Sequence, residues 1–141
     1  MINCNCSCNG IFQGSTPTLL FDTNTPLVDI CLINIVLSQL GQIVLDKTHY
    51  CVASVLGNFK LGKDIIGDEV EQESNGITKV DESTLQLTLT QAETLMLSSK
   101  YDIDVQLRIL YNDGSAVTSE ISVLHIHPVL KNEVLHVTNN K

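Results

Sequence analysis

From Tyr101 to Tyr111 apolar and polar residues alternate: Tyr101, Ile103, Val105, Leu107, Ile109 and Tyr111 share one side, and Asp102, Asp104, Gln106, Arg108 and Leu110 the other. Successive side chains of a strand point to opposite faces, so this segment predicts a half-buried β-strand. Residues 84–90 repeat the pattern, with Leu85, Leu87 and Leu89 inward and Thr84, Gln86, Thr88 and Thr90 outward. A third strand is expected from about Ala116 to Ile126. Its apolar side begins with Val117, Ile121 and Val123 and then slips to Leu124 and Ile126, which predicts a bulge or a strand covered on both faces. Upstream, residues 28–37 and 42–47 read as two strands joined at Gln39-Leu40-Gly41, and residues 18–21 as a short first strand after Pro17.

The connections carry their own signals. Asn112-Asp113-Gly114-Ser115 contains Asp-Gly between two alternating segments, the composition of a hairpin turn. In Thr90-Gln91-Ala92-Glu93, Thr90 can cap a helix and Glu93 can return the bond, so one helical turn is expected between two strands. Residues 52–80, with Gly57, Gly62, Gly67 and Gly76, read as an irregular excursion or an extra hairpin. Six to eight short strands and a single helical turn predict an all-β fold, an antiparallel β-sandwich. The order strand, one-turn helix, strand, hairpin, strand resembles the end of an immunoglobulin-like domain. Tyr101 stands where such folds place a corner tyrosine, although Ile103 replaces the cysteine expected two residues later. The expected organisation is a Cys-rich arm at 1–16, a sandwich at 17–127 and a C-terminal tail at 128–141.

Composition narrows the function. A chain of 141 residues buries about two-thirds of its surface, enough for a core without disulfides. With 43% apolar and 17% charged residues, neither disorder nor a charged coiled coil is expected. The longest apolar run, Val28 to Leu37, is broken by Asp29 and Asn34 and is too short to span a bilayer. No basic segment leads into an apolar one near Met1, so no secretory leader is expected. Net charge is −8, and Arg108 is the one arginine, which argues against a nucleic-acid partner and against anionic lipid. Eight acids lie between Asp64 and Glu93 with Lys79 the one base among them, a solvated stretch without the spacing of a calcium loop.

Candidate chemistry is sparse. Cys4, Cys6 and Cys8 alternate, so an extended arm presents three thiols on one side, either for a thiolate metal site or for cross-linking to a neighbouring copy. Cys31 sits in an apolar run as a small core residue. His125 and His127 would share one face of a strand, as metal-ligating pairs do, and otherwise are surface histidines at a strand exit. His49 and His136 stand singly. Phosphate-loop, nucleophile-elbow and His-Glu-x-x-His motifs are absent, and Asp102 and Asp104 fall on the solvent side, so no enzyme and no cofactor are expected. A sugar site would need exposed rings. The chain has no tryptophan, and Phe12, Tyr50 and Phe59 are the candidate platforms, with Phe21, Tyr101 and Tyr111 on apolar sides of strands. In the tail, Leu130, Val134 and Val137 would share one helical face, to be packed on the domain or on a partner.

Several of these stretches resemble small proteins encoded in phages and prophages of gut and Gram-positive bacteria. The resemblance rests on Gly14-Ser15-Thr16-Pro17-Thr18, the run Leu89 to Leu95, Val105-Gln106-Leu107-Arg108, Asp113-Gly114 with Ser119, and Val129-Leu130-Lys131. It covers roughly residues 13–47 and 84–135, and leaves out the cysteine arm and the 52–80 excursion. It implies a virion structural protein, made in the bacterial host cytoplasm, that decorates the capsid or adapts the tail or baseplate. Its partners would be other virion proteins, in a homo-oligomer or a larger assembly, with residues 1–16 and 129–141 carrying attachment to a domain that folds without them. The alternative is a carbohydrate- or metal-binding β-sandwich module.

Overall fold

The computed structural model describes residues 3–6, 10–50 and 76–137, and among them alternation has become strand almost throughout. The described elements are β1 (Asn3–Cys6), β2 (Ile11–Phe12), β3 (Thr18–Asp22), β4 (Ile30–Gln39), β5 (Gln42–Tyr50), β6 (Ile77–Asp81), β7 (Thr84–Thr88), α1 (Gln91–Leu95), β8 (Ile103–Tyr111), β9 (Ala116–Thr118), β10 (Ser122–Leu124) and β11 (Ile126–His127). One sheet runs β1-β3-β7-β6. The other runs β10-β8-β4-β5, with β9 beside β10 along β8. Both are antiparallel throughout, and β2 and β11 add a small parallel pair.

The two sheets pack face to face as an all-β sandwich. Leu19, Phe21, Ile77, Leu85 and Leu87 from the first sheet meet Ile33, Ile35, Leu37, Val105, Leu107 and Ile109 from the second, all fully buried. Leu85, Leu87, Val105, Leu107 and Ile109 are positions that alternation assigned inward, and each such buried side chain contributes about 1.5–3 kcal/mol by leaving water. Ile11 and Ile126 from the small parallel pair are buried in the same core. Gly10 lets that pair close: at φ +133 its Cα lies so near the His125 carbonyl that an added Cβ would stand 2.3 Å from the oxygen.

Several expectations are corrected. Tyr101 lies outside β8 and is 43% exposed, so it is no corner tyrosine; its carbonyl accepts from Gln39 Nε2, while Tyr111 packs against the core. The third strand is broken into β9, β10 and β11. Ser119 causes the first break: its amide donates to Leu107 O, and its buried hydroxyl accepts from Leu107 N where a strand carbonyl would otherwise sit. Val117, Ile121 and Val123 are consequently exposed. Residues 18–21 are not the first strand, because β1 pairs with β3 at the sheet edge. Of the 52–80 excursion, residues 51–75 lie outside the described residues, and residues 77–80 belong to β6. Gly76, at φ +79, opens that strand where a Cβ would collide with Thr88 O. Cys31 is only half-buried, at a register shift between Ile30 and Leu32, rather than a core residue.

Among the described residues of the tail, 128–137, there is no helix, so Leu130, Val134 and Val137 share no helical face. Its backbone amides go elsewhere than to carbonyls four residues back. Val129 N donates to Gln13 Oε1 at 3.1 Å, and Leu135 N donates to Gln91 Oε1 at 2.7 Å. Among the described residues no helix is long and apolar enough to cross a membrane.

Candidate functional site

Among the described residues, three places bring chemistry-bearing side chains together: the crossover around α1 with the tail beside it, the loops at the opposite end of β8, and the histidines of the strand exit.

The crossover is the most heavily bonded. Thr90 caps α1 by accepting from Glu93 N, and Glu93 Oε1 accepts from Thr90 N, the reciprocal pair that the sequence predicted. The other oxygen of Glu93 accepts from Lys47 Nζ, which reaches inward from β5. Burial acts to raise the Glu93 carboxyl, but the bonds from Lys47 and the Thr90 amide, with the lysine's charge, hold it below its ordinary value of 4.5. Thr94 is buried and gives its hydroxyl to Ser15 O and Gln91 O while accepting from Gly14 N. Against this base lies the tail. Gln91 both donates to Leu135 O and accepts from Leu135 N, as a neighbouring strand would. Leu130, Leu135 and Val137 nevertheless project into solvent, Leu130 completely. Of the tail residues singled out from the sequence, Val134 alone is half-buried and Leu130 and Val137 are exposed.

At the other end, Asn112 N donates to Asp29 O at 2.8 Å and ties the 23–29 loop to the β8–β9 hairpin. Between them opens a cleft of about 480 Å³, lined by Pro26, Val28, Asp29, Tyr111, Asn112 and Asp113 among others. Ser115 bonds the Asp113 carboxylate through its hydroxyl and amide and keeps that carboxyl below its ordinary 3.8. Asn24 and Asp29 both adopt left-handed backbone, φ 61 and 57, which short polar side chains tolerate best. The wall made by Asn112-Asp113-Gly114 was visible in the sequence as a turn. Tyr111 and Asp29 were not, because their meeting depends on the register that sets Ile30 opposite Tyr111.

His125 and His127 do come together, ring centroids 4.7 Å apart and edge to face. His125 Nδ1 lies 3.2 Å from Asp102 Oδ1, and the His127 ring stacks on exposed Phe12 at 4.3 Å. Among the described residues no group of three or more His, Cys, Asp or Glu is placed to hold a metal. Cys4 and Cys6 lie on β1 opposite Phe21 and Leu19, and Cys8 is outside the described residues. Of the expected ring platforms, Phe12 and Tyr50 are exposed and Phe59 lies outside the described residues. No protein-family model and no curated protein matches the chain.

Proposed function

We propose that this chain is a non-enzymatic structural module of a phage virion, attached by protein–protein contacts to capsid, tail or baseplate. The observation that carries this reading is the tail. A segment that is neither helix nor strand, pinned by Gln13 and Gln91, presents Leu130, Leu135 and Val137 to solvent. Apolar side chains held out in this way mark a surface that a partner covers. The sandwich suits that role, and its strand order, β1-β3-β7-β6 against β10-β8-β4-β5, supports an immunoglobulin-like reading of the fold. The resemblance to phage proteins supplies the kind of assembly.

A second reading has its own observation. The loop cleft combines two carboxylates, an amide and a tyrosine ring with no cation among its lining residues, which suits a neutral polyhydroxylated ligand such as a saccharide.

The test is incorporation. Particles purified from the host that carries the gene are expected to contain the chain, and chain ending at residue 128 is expected to fold but to stay out of them. Full-length chain absent from particles that hold the other virion proteins would overturn the reading. Should neutral saccharides then shift the amide resonances of residues 25–29 and 111–115, the second reading takes its place.

A further inference from the structure

The five-stranded sheet turns Ile33, Ile35, Val105 and Leu107 to the core, and among the described residues its other face is half-buried to exposed. On that other face β8 carries Asp104, Gln106, Arg108 and Leu110, and β4 carries Leu32, Asn34, Val36 and Ser38 in register beside them. Arg108 is exposed at the edge of a shallow hollow of about 290 Å³, shared with Leu32, Asn34, Tyr50 and Leu110. It is the single arginine of a chain whose net charge is −8.

The charges of this face are unevenly satisfied. Asp46, from β5, accepts from Asn34 Nδ2 at 2.7 Å. Gln106 gives its amide to Ser119 O at 3.0 Å. Neither Arg108 nor Asp104 has a side-chain hydrogen bond or an ion pair among the described residues. They stand on the same face of one strand, two residues either side of Gln106. At a strand rise near 3.4 Å per residue they are about 13 Å apart, too far to pair with each other.

We infer that this face binds a second copy of the chain about a twofold axis passing beside Gln106. An axis lying between the facing sheets of the two copies and perpendicular to β8 reverses the strand, so whatever stands two residues to one side of Gln106 meets what stands two residues to the other. Arg108 of each copy then lies over Asp104 of the other, forming the same pair twice. This is the self-complementarity that an isologous interface requires, present here within one strand. A planar guanidinium and a carboxylate satisfy each other best, and among the described residues of a single copy neither group has such a partner. Leu32, Val36 and Leu110, half-buried in the single copy, are covered in the pair. Strands β5, β4 and β8 offer roughly 400 Å² in projection, short of the about 800 Å² per partner of a standard stable interface, so the dimer is weak and concentration-dependent.

Self-association does not depend on the virion reading, and particle incorporation is measured separately from it. The experiment is sedimentation velocity on the full chain from the micromolar to the millimolar range, at low and high salt. The expected result is a reversible dimer that salt weakens. Arg108→Asp and Asp104→Arg each set like charges face to face, and each is expected to weaken association about tenfold or more. The double swap restores opposite charges across the axis and is expected to recover most of the loss. Thermal melts of all three variants check folding, since Arg108 is exposed and Asp104 half-buried. A chain that stays monomeric to the highest concentration overturns the inference. So does a dimer indifferent to Arg108→Asp, or a double swap no better than either single change.

Discussion

Leu40 is the residue most at odds with its backbone. It sits at φ 53 in the two-residue turn between β4 and β5, followed by Gly41 at φ 78, and it is 69% exposed. Two successive positive φ values make the turn that best matches strand twist, but they favour Asn, Asp or Gly over a branched apolar side chain. Leu40→Asn is therefore expected to raise stability by about 0.5–1 kcal/mol, read as a higher denaturation midpoint in urea at unchanged slope. A lower midpoint would mean that the exposed leucine makes a contact worth more than the strain. Glutamines tell a related story. Gln39 is nearly buried, donating to Ser98 O and Tyr101 O and accepting from Ser98 N, while Gln13 and Gln91 hold Leu97 and the tail. All three behave as substitute backbone. No sequence pattern marks them, because a glutamine on a strand or helix reads as solvent-facing until the partner loop is known.

At the scale of elements, local signals were the legible part. The capping box set α1 within a residue, and Asp-Gly set the β8–β9 hairpin, because both depend on bonds between near neighbours. The Lys47–Glu93 bond was not legible, since it joins β5 to the crossover across 46 residues. Its consequence is a pH dependence. Glu93 has a folded-state value below 4.5, so its pairing adds stability fully present above that value and lost as pH falls through the lower one. Glu93→Gln isolates the charge, because glutamine at the third helical position still completes the capping box. The pair's side chains are 12% and 19% exposed, between the surface and buried cases, so the variant is expected to lose about 1–3 kcal/mol at neutral pH. The gap between variant and native chain should close as pH falls below the ordinary 4.5 and through the lower folded-state value of Glu93. Urea denaturation at a series of pH values measures it directly. A gap that stays constant would assign the loss to packing instead of charge.

For the whole molecule, alternation specified the sandwich because a two-residue period fixes which face of each strand is buried, whatever its neighbours. It could not specify the ends. The segment before Pro17 is polar and cysteine-rich, and reads as an arm; yet β1 extends the first sheet, and β2 delivers Ile11 into the core beside Ile126. The tail is apolar, and reads as a segment packed on the domain or on a partner; on the domain it lies outside, held by two glutamines. Composition does not place either end on the domain, for one reason. Burial there is decided by pairing with distant strands, β3 at residues 18–22 and β11 at 126–127, and not by local hydrophobicity. The two ends therefore differ in what they do for folding. Removing residues 1–12 deletes Ile11, strips the edge of β3 and leaves Ile126 without its strand partner, which is expected to cost at least about 3 kcal/mol. Removing residues 129–141 forfeits chiefly the exposed amide bonds to Gln13 and Gln91, worth about 1 kcal/mol. Denaturation of the two truncated chains separates these values. If both unfold at the native midpoint, β1 and β2 contribute nothing to the core. If the C-terminal truncation is the costlier one, the tail is a structural strap, and its exposed leucines are no longer free to serve attachment.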